Sequence, residues 1–112
     1  MRRGEIWWAD LLPPAGRRPV VLLSRDEAYA VRAMVVVAPI TTRIRGVRAE
    51  VELGQEEGLP QRCVANLDTI TTIPKARLRE RVTSLSAERV RRVEDALHFA
   101  LGLECPRTGR EA

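Results

Sequence analysis

Histidine occurs once in this 112-residue chain, at position 98, cysteine twice, at 63 and 105, and lysine once, at 75. One histidine excludes a ribonuclease mechanism that draws two imidazoles from the same chain. Two isolated cysteines without a CxxC leave neither a disulfide framework nor a structural zinc site. His98 sits between Leu97 and Phe99 on a helical stretch, where a lone imidazole is far more often structural than catalytic. Neither cysteine has a histidine partner, so a thiol nucleophile has no support. GxSxG, GxGxxG, HExxH and the phosphate-binding P-loop are all missing. The acids Glu56–Glu57, Glu50 and Glu52 read as solvated faces rather than the cluster that a metal-dependent nuclease needs. Long apolar runs are missing too: Met34–Ile40 is far too short to cross a bilayer. No apolar stretch of secretion-signal length follows the basic opening Met1-Arg2-Arg3-Gly4-Glu5. The expected compartment is the cytoplasm, with no membrane contact.

What is present is the balance of a folded protein, with 45% hydrophobic and 30% charged residues. The length suits a single domain, expected over residues 1–103, with 104–112 as a tail. Charge is uneven along the chain: residues 1–48 carry +5, residues 49–74 carry −4 and residues 75–112 carry +3. A basic amino-terminal half beside an acidic middle can steer a polyanion to one face, or can be no more than an uneven solvated surface. Of the 19 basic residues 18 are arginine, a skew that a genome rich in G and C explains without reference to function.

The first two thirds read as short strands. Glu5–Asp10 is β-prone, Leu11–Arg17 is a loop holding Pro13, Pro14 and Gly16, and Pro19–Leu23 is an apolar strand. Ser24 is placed to cap a short helix over Arg25–Val31, and Met34–Ala38 is a second buried strand that Pro39 should stop. Thr41–Arg48 is a polar, arginine-bearing loop. Ala49–Leu53 alternates as a strand with one wet face, and further strands open at Cys63 and at Thr69. From Ser86 the period changes: Val90, Val93, Leu97, Ala100 and Leu101 mark an amphipathic helix, with Ser86 as N-cap and Gly102 closing its end. The expected fold is α+β, mainly β: a small, strongly bent antiparallel sheet carrying a C-terminal amphipathic helix.

The polar residues of interest stand at the ends of buried strands. Arg18 precedes Pro19 and the Val20–Leu23 run, and Thr41 and Thr42 follow Met34–Ile40. Side chains at such hand-over points are often functional, although a turn arginine and a threonine pair bonding the backbone would look the same. The segments GEIWWADLLPPAGRRPVVLLSRD, VVVAPITT, VANLDTITTI and LSAERVRRVEDALHFALGL, in this order, resemble the MazF/PemK toxins of bacterial toxin–antitoxin systems across residues 3–103.

The resemblance implies an SH3-like, CcdB/MazF-like barrel and a homodimer. It implies metal-independent, sequence-specific cleavage of single-stranded RNA, with no cofactor, leaving 2′,3′-cyclic phosphate and 5′-hydroxyl ends. It also implies a cognate antitoxin with an acidic, disordered tail. Arg18 falls on the family's "RP" arginine and Thr41 on its threonine after the "P-I" strand end, which makes them the implied catalytic pair. Ser24 matches a polar position after the "RPVV" strand, and Asp68 matches an aspartate implicated in RNA contact or catalysis. Thr42, Arg43 and Arg45 are the implied RNA-binding residues of the adjoining loop. The chain departs from the family at Thr69 and Thr71, where glutamine and arginine are usual, and in its shortened Pro13–Arg17 loop. A CcdB-like toxin that binds a protein such as gyrase, and an RNA-binding barrel without cleavage, are the alternatives; the joint presence of Arg18 and Thr41 argues against the first. Adjacent Trp7 and Trp8 should face opposite sides of their strand, one towards the core and the other towards an interface, a base or a partner.

Overall fold

The computed structural model describes residues 1–103; the expected tail, with Cys105, lies outside the described residues. Seven strands form the sheet: β1 (Glu5–Asp10), β2 (Arg17–Leu22), β3 (Met34–Thr41), β4 (Glu50–Leu53), β5 (Cys63–Asn66), β6 (Thr71–Pro74) and β7 (Leu78–Ser84). Two helices, α1 (Ala28–Val31) and α2 (Ala87–Leu101), complete it. The strand order is β4-β5-β3-β2-β1-β7, with β6 also on β3, and each pairing is antiparallel. β4 and β7 are the two ends, and no ladder among the described residues joins them. The expected antiparallel sheet with its C-terminal helix is present, and among the described residues it is open, with two edges, rather than closed into a barrel.

Strand alternation divides the core in two. Ile6, Val21, Ala38, Ile40, Ala65 and Leu67 meet Val93 and Ala96 of α2 on one face. Ala9, Val20, Leu22, Val35 and Val37 pack with Tyr29 on the other. α2 forms where the period demanded: the Ser86 hydroxyl accepts the Arg89 N–H at 3.2 Å, and Gly102 ends the helix at φ +70°, a conformation open to glycine. β5 and β6 together run along one side of β3, interrupted by a 3-10 turn at Leu67–Thr69 that shifts the register by three residues. The Asn66 side chain accepts the Asp68 N–H at 2.9 Å and shapes this turn, and Leu67 drops into the core beneath α2.

Three expectations change. β3 does not stop at Pro39 but continues to Thr41. Val36 bonds on the β2 side through both its carbonyl and its amide, so alternation turns Pro39 towards β5 and β6, where the ladder is already interrupted. α1 begins only at Ala28, after Glu27, and Ser24 does not cap it. β7 was not foreseen; its residues are largely exposed and arginine-rich, and they pair with β1 at the sheet edge.

Candidate active site

Arg18 and Thr41 belong to neighbouring strands and stand at the same end of them. β2 and β3 pair from Leu22–Val37 to Val20–Pro39. The ladder ends there because Pro19 has no amide to continue it. The same register carried two residues further would set Arg18 against Thr41, with both side chains on one face. Pro19 and Thr41 also line a common cavity, which fixes the two strand ends as neighbours.

Arg18 is distinguished by what does not hold it. The partly buried arginines among the described residues are Arg18, Arg77 and Arg89. Arg77 donates to the Asp10 carbonyl at 3.3 Å and Arg89 to the Glu52 carbonyl at 3.0 Å. While its backbone pairs with Ala9 of β1, the Arg18 side chain has no hydrogen bond, ion pair or ring contact among the described residues. Its neighbour Arg17 points to the other face, where it lies 5.4 Å from the centre of the Trp8 ring and pairs with Asp10 at 3.7 Å and Glu80 at 3.8 Å. Thr41 is half-buried, and its hydroxyl oxygen accepts the Arg43 N–H at 3.1 Å. That bond orients the hydroxyl and leaves its proton available for a second acceptor.

The loop after Thr41 presents Thr42, Arg43 and Arg45, all exposed, and neither of the two guanidinium groups has a partner among the described residues. Its far end is pinned by Glu50, whose carboxylate accepts the amides of Arg45 at 3.0 Å and Gly46 at 2.9 Å. Glu50 is therefore a structural anchor of the loop, where sequence reading made it a solvated acid. Arg48 leaves this group and stacks over Phe99 of α2 at 4.2 Å.

The remaining candidates lie elsewhere. Ser24 is at the opposite end of β2, about 20 Å from Arg18 at ~3.3 Å per residue. There its hydroxyl accepts the Val36 N–H at 2.8 Å and its carbonyl accepts the Tyr29 hydroxyl at 3.2 Å. Asp68 is exposed on the Leu67–Thr69 turn, across β3 from Arg18. No three His, Cys, Asp or Glu side chains among the described residues converge on a point that could hold a metal ion. Cys63 is buried, and burial, aided by the Glu57 carboxylate, pushes its thiol up and keeps it protonated. A concavity of about 380 Å³, lined by Glu52, Glu56, Glu57, Arg62 and Arg89, does not include Arg18 or Thr41. Its arginines are already paired with its acids, so it offers an anion little.

The smaller cavity beside Thr41, about 170 Å³, was not foreseen as a unit. Trp8, Pro19, Ile40, Leu59 and Pro60 supply apolar walls, and Thr42 and Gln61 supply polar atoms. Gln61 carried no signal in the sequence, since its place depends on how the β4–β5 connection folds back. Trp8 did carry one: alternation sends it to this side, while Trp7 faces the second core and donates to Glu5 at 2.8 Å.

Known proteins match the chain over nearly its whole length. The family model described as "PemK-like, MazF-like toxin of type II toxin-antitoxin system" matches residues 2–101. "Probable endoribonuclease MazF5" of Mycobacterium tuberculosis is 41% identical over 106 residues, covering 94% of each chain. Among solved structures, "Mycobacterium tuberculosis toxin MazF-mt6" superposes with a TM-score of 0.83 at 33% identity, over 90% of this chain and 99% of that one. An "endoribonuclease in complex with its cognate antitoxin from Mycobacterial species" gives a TM-score of 0.82 at 27% identity, over 95% of this chain and 99% of that one. No helix among the described residues is long and apolar enough to cross a membrane. With its open bent sheet, its α2 cover and its Arg18–Thr41 strand ends, the chain belongs to the PemK-like, MazF-like toxins of type II toxin–antitoxin systems.

Proposed function

We propose that this chain is an endoribonuclease toxin that cuts single-stranded RNA at a short sequence, with Arg18 and Thr41 on the cleaved phosphodiester. The observation that carries the assignment is the half-buried Arg18, without a partner among the described residues, at the same strand end as Thr41.

Cleavage proceeds by attack of the 2′-oxygen on its own phosphorus. The P–O5′ bond breaks, the 2′-hydroxyl proton passes to solvent or a nearby base, and the leaving 5′-oxygen takes up a proton. The products are a 2′,3′-cyclic phosphate and a 5′-hydroxyl. Arg18 bonds two phosphoryl oxygens and offsets the charge that grows on the pentacoordinate phosphorus. Thr41 donates its remaining proton to a phosphoryl oxygen. Arg18 is not the base, because a guanidinium has only donors to offer and no lone pair that accepts a proton. Water takes that part. Thr42, Arg43 and Arg45 bind the flanking backbone, and extension of the strand into line for attack accounts for a preference for unpaired RNA. No metal takes part in this scheme.

Residues 1–103 act as one domain, the working unit is a homodimer, and the site of action is the cytoplasm. The relatives' endoribonuclease names favour cleavage over a CcdB-like protein target or a silent RNA-binding sheet. As in the mycobacterial complex, a cognate antitoxin is the protein partner. An acidic, disordered antitoxin tail suits the surface that carries Arg18, Arg43 and Arg45.

The test is incubation of the purified protein with an unstructured RNA in excess EDTA, with both new ends mapped. Cleavage leaving a cyclic phosphate and a 5′-hydroxyl is expected. Intact RNA refutes the enzyme, and undiminished cleavage by Arg18→Ala refutes the residue assignment.

A further inference from the structure

We infer that the cavity beside Thr41 receives a nucleobase next to the cleaved phosphodiester, with Trp8 as its stacking wall and Gln61 reading its edge. The inference rests on the endoribonuclease reading and adds to it a place where sequence is recognised. Three observations support it. The cavity is lined by Thr41, so it opens at the same strand end as the proposed cleavage site. Its walls are apolar, and the Trp8 ring provides the flat surface on which any base can stack. Its polar side chains are few, and an amide such as Gln61 offers both a donor and an acceptor, the pair that discriminates between base edges.

Trp8 is also held for this task. Arg17 lies over its ring, and Arg17 in turn is fixed by Asp10 and Glu80. A ring clamped on one side loses little freedom when a base stacks on the other. Arg18, one residue along and facing the opposite way, is left for phosphate. The alternation of β2 thus assigns adjacent arginines to the two halves of one nucleotide.

The experiment uses the full chain and a pool of randomised single-stranded RNA, with cut sites read by sequencing the 5′-hydroxyl ends. Gln61 is exposed, so Gln61→Ala and Gln61→Glu leave the core untouched. Both are expected to change base preference at one position flanking the cut, by about fivefold to tenfold, and at no other. Gln61→Glu, which lacks the amide donor, is expected to shift the preference rather than only relax it. In parallel, wild-type protein is titrated with an oligonucleotide of the preferred sequence blocked by a 2′-O-methyl group at the cut. An abasic site at that same position is expected to weaken binding about tenfold.

Unchanged preference at every position in both variants, with cutting retained, overturns the base subsite while leaving the nuclease standing. So does an abasic scan without effect at the flanking positions. If the Gln61 variants keep their cut sites but resist neutralisation by the cognate antitoxin, the cavity belongs to that protein, and the inference is again overturned. Absence of cutting by the wild type would instead remove the nuclease reading on which the subsite depends.

Discussion

The two ends of the β2–β3 pair are made from the same two strands and finished in opposite ways. At the Leu22 end backbone and hydroxyl groups are tied together: Gly4 donates to the Leu22 carbonyl, Leu23 to the Val36 carbonyl, Val36 to the Ser24 hydroxyl and Tyr29 to the Ser24 carbonyl. At the Arg18 end the ladder stops, a guanidinium is left without a partner among the described residues, and a cavity opens beside Thr41. Stability is built into the first end, and the proposed chemistry falls at the second. The same polar side chains, a serine and a threonine after apolar strands, do different work because one is consumed by the fold and the other keeps a proton to give.

Substitutions that exchange these effects would break the comparison. The largest expected effect is at Arg18: alanine there lowers the RNA cleavage rate by about 100- to 1,000-fold, the loss of one charge-stabilising donor. The thermal midpoint should move by less than about 2 °C, because no interaction within the fold is removed. At the closed end the pattern reverses. Gly4 is at φ +92°, and a Cβ there would stand 2.6 Å from Cγ2 of Val90 on α2. Gly4→Ala should cost about 2 kcal/mol in urea unfolding. Ser24→Ala strands the Val36 amide and should cost about 1–2 kcal/mol, again by urea unfolding, with cut sites unchanged. A rate loss at Ser24 larger than its stability loss would return that residue to the site.

Thr41→Val keeps the shape and removes the hydroxyl, so the cleavage rate should fall about tenfold, measured under single-turnover conditions. The smallest effect is alkaline. Burial pushes the Tyr29 hydroxyl from 10.0 up to about 12, so the folded state holds its proton more tightly than the unfolded chain does. This contribution is complete below about pH 10 and is lost as the pH rises from 10 towards 12. The urea midpoint should drop across that window in the wild type and drop less in Tyr29→Phe.

How much was legible in the sequence follows the range of each signal. α2 was legible with both caps, because its period and its cap residues are local. The buried strands were legible for the same reason. Pro39 misled because a proline's tolerance depends on which side its missing amide faces, which the β2–β3 register sets, and on the break in the ladder there, made by a turn nearly thirty residues later. β7 carried too little apolar alternation to announce itself, since its partner β1 supports only one edge. Ser24 and Asp68 were singled out by position in a motif, and only the strand pairing shows that one lies at the far end of β2 and the other across β3. Arg18 and Thr41 were legible as strand ends, but their shared end is a matter of register. The Gln61 contribution depends on a connection between strands and had no local mark.

The loop between β3 and β4 is tethered at its first turn by the Thr41 hydroxyl and at its last by the Glu50 carboxylate, both of which grip backbone amides rather than side chains. Main-chain tethers are indifferent to the identity of the residues they hold. Such a loop tolerates exchange of the side chains between its two anchors, Gly46 at φ +74° excepted, while the strand ends on either side of it stay in register.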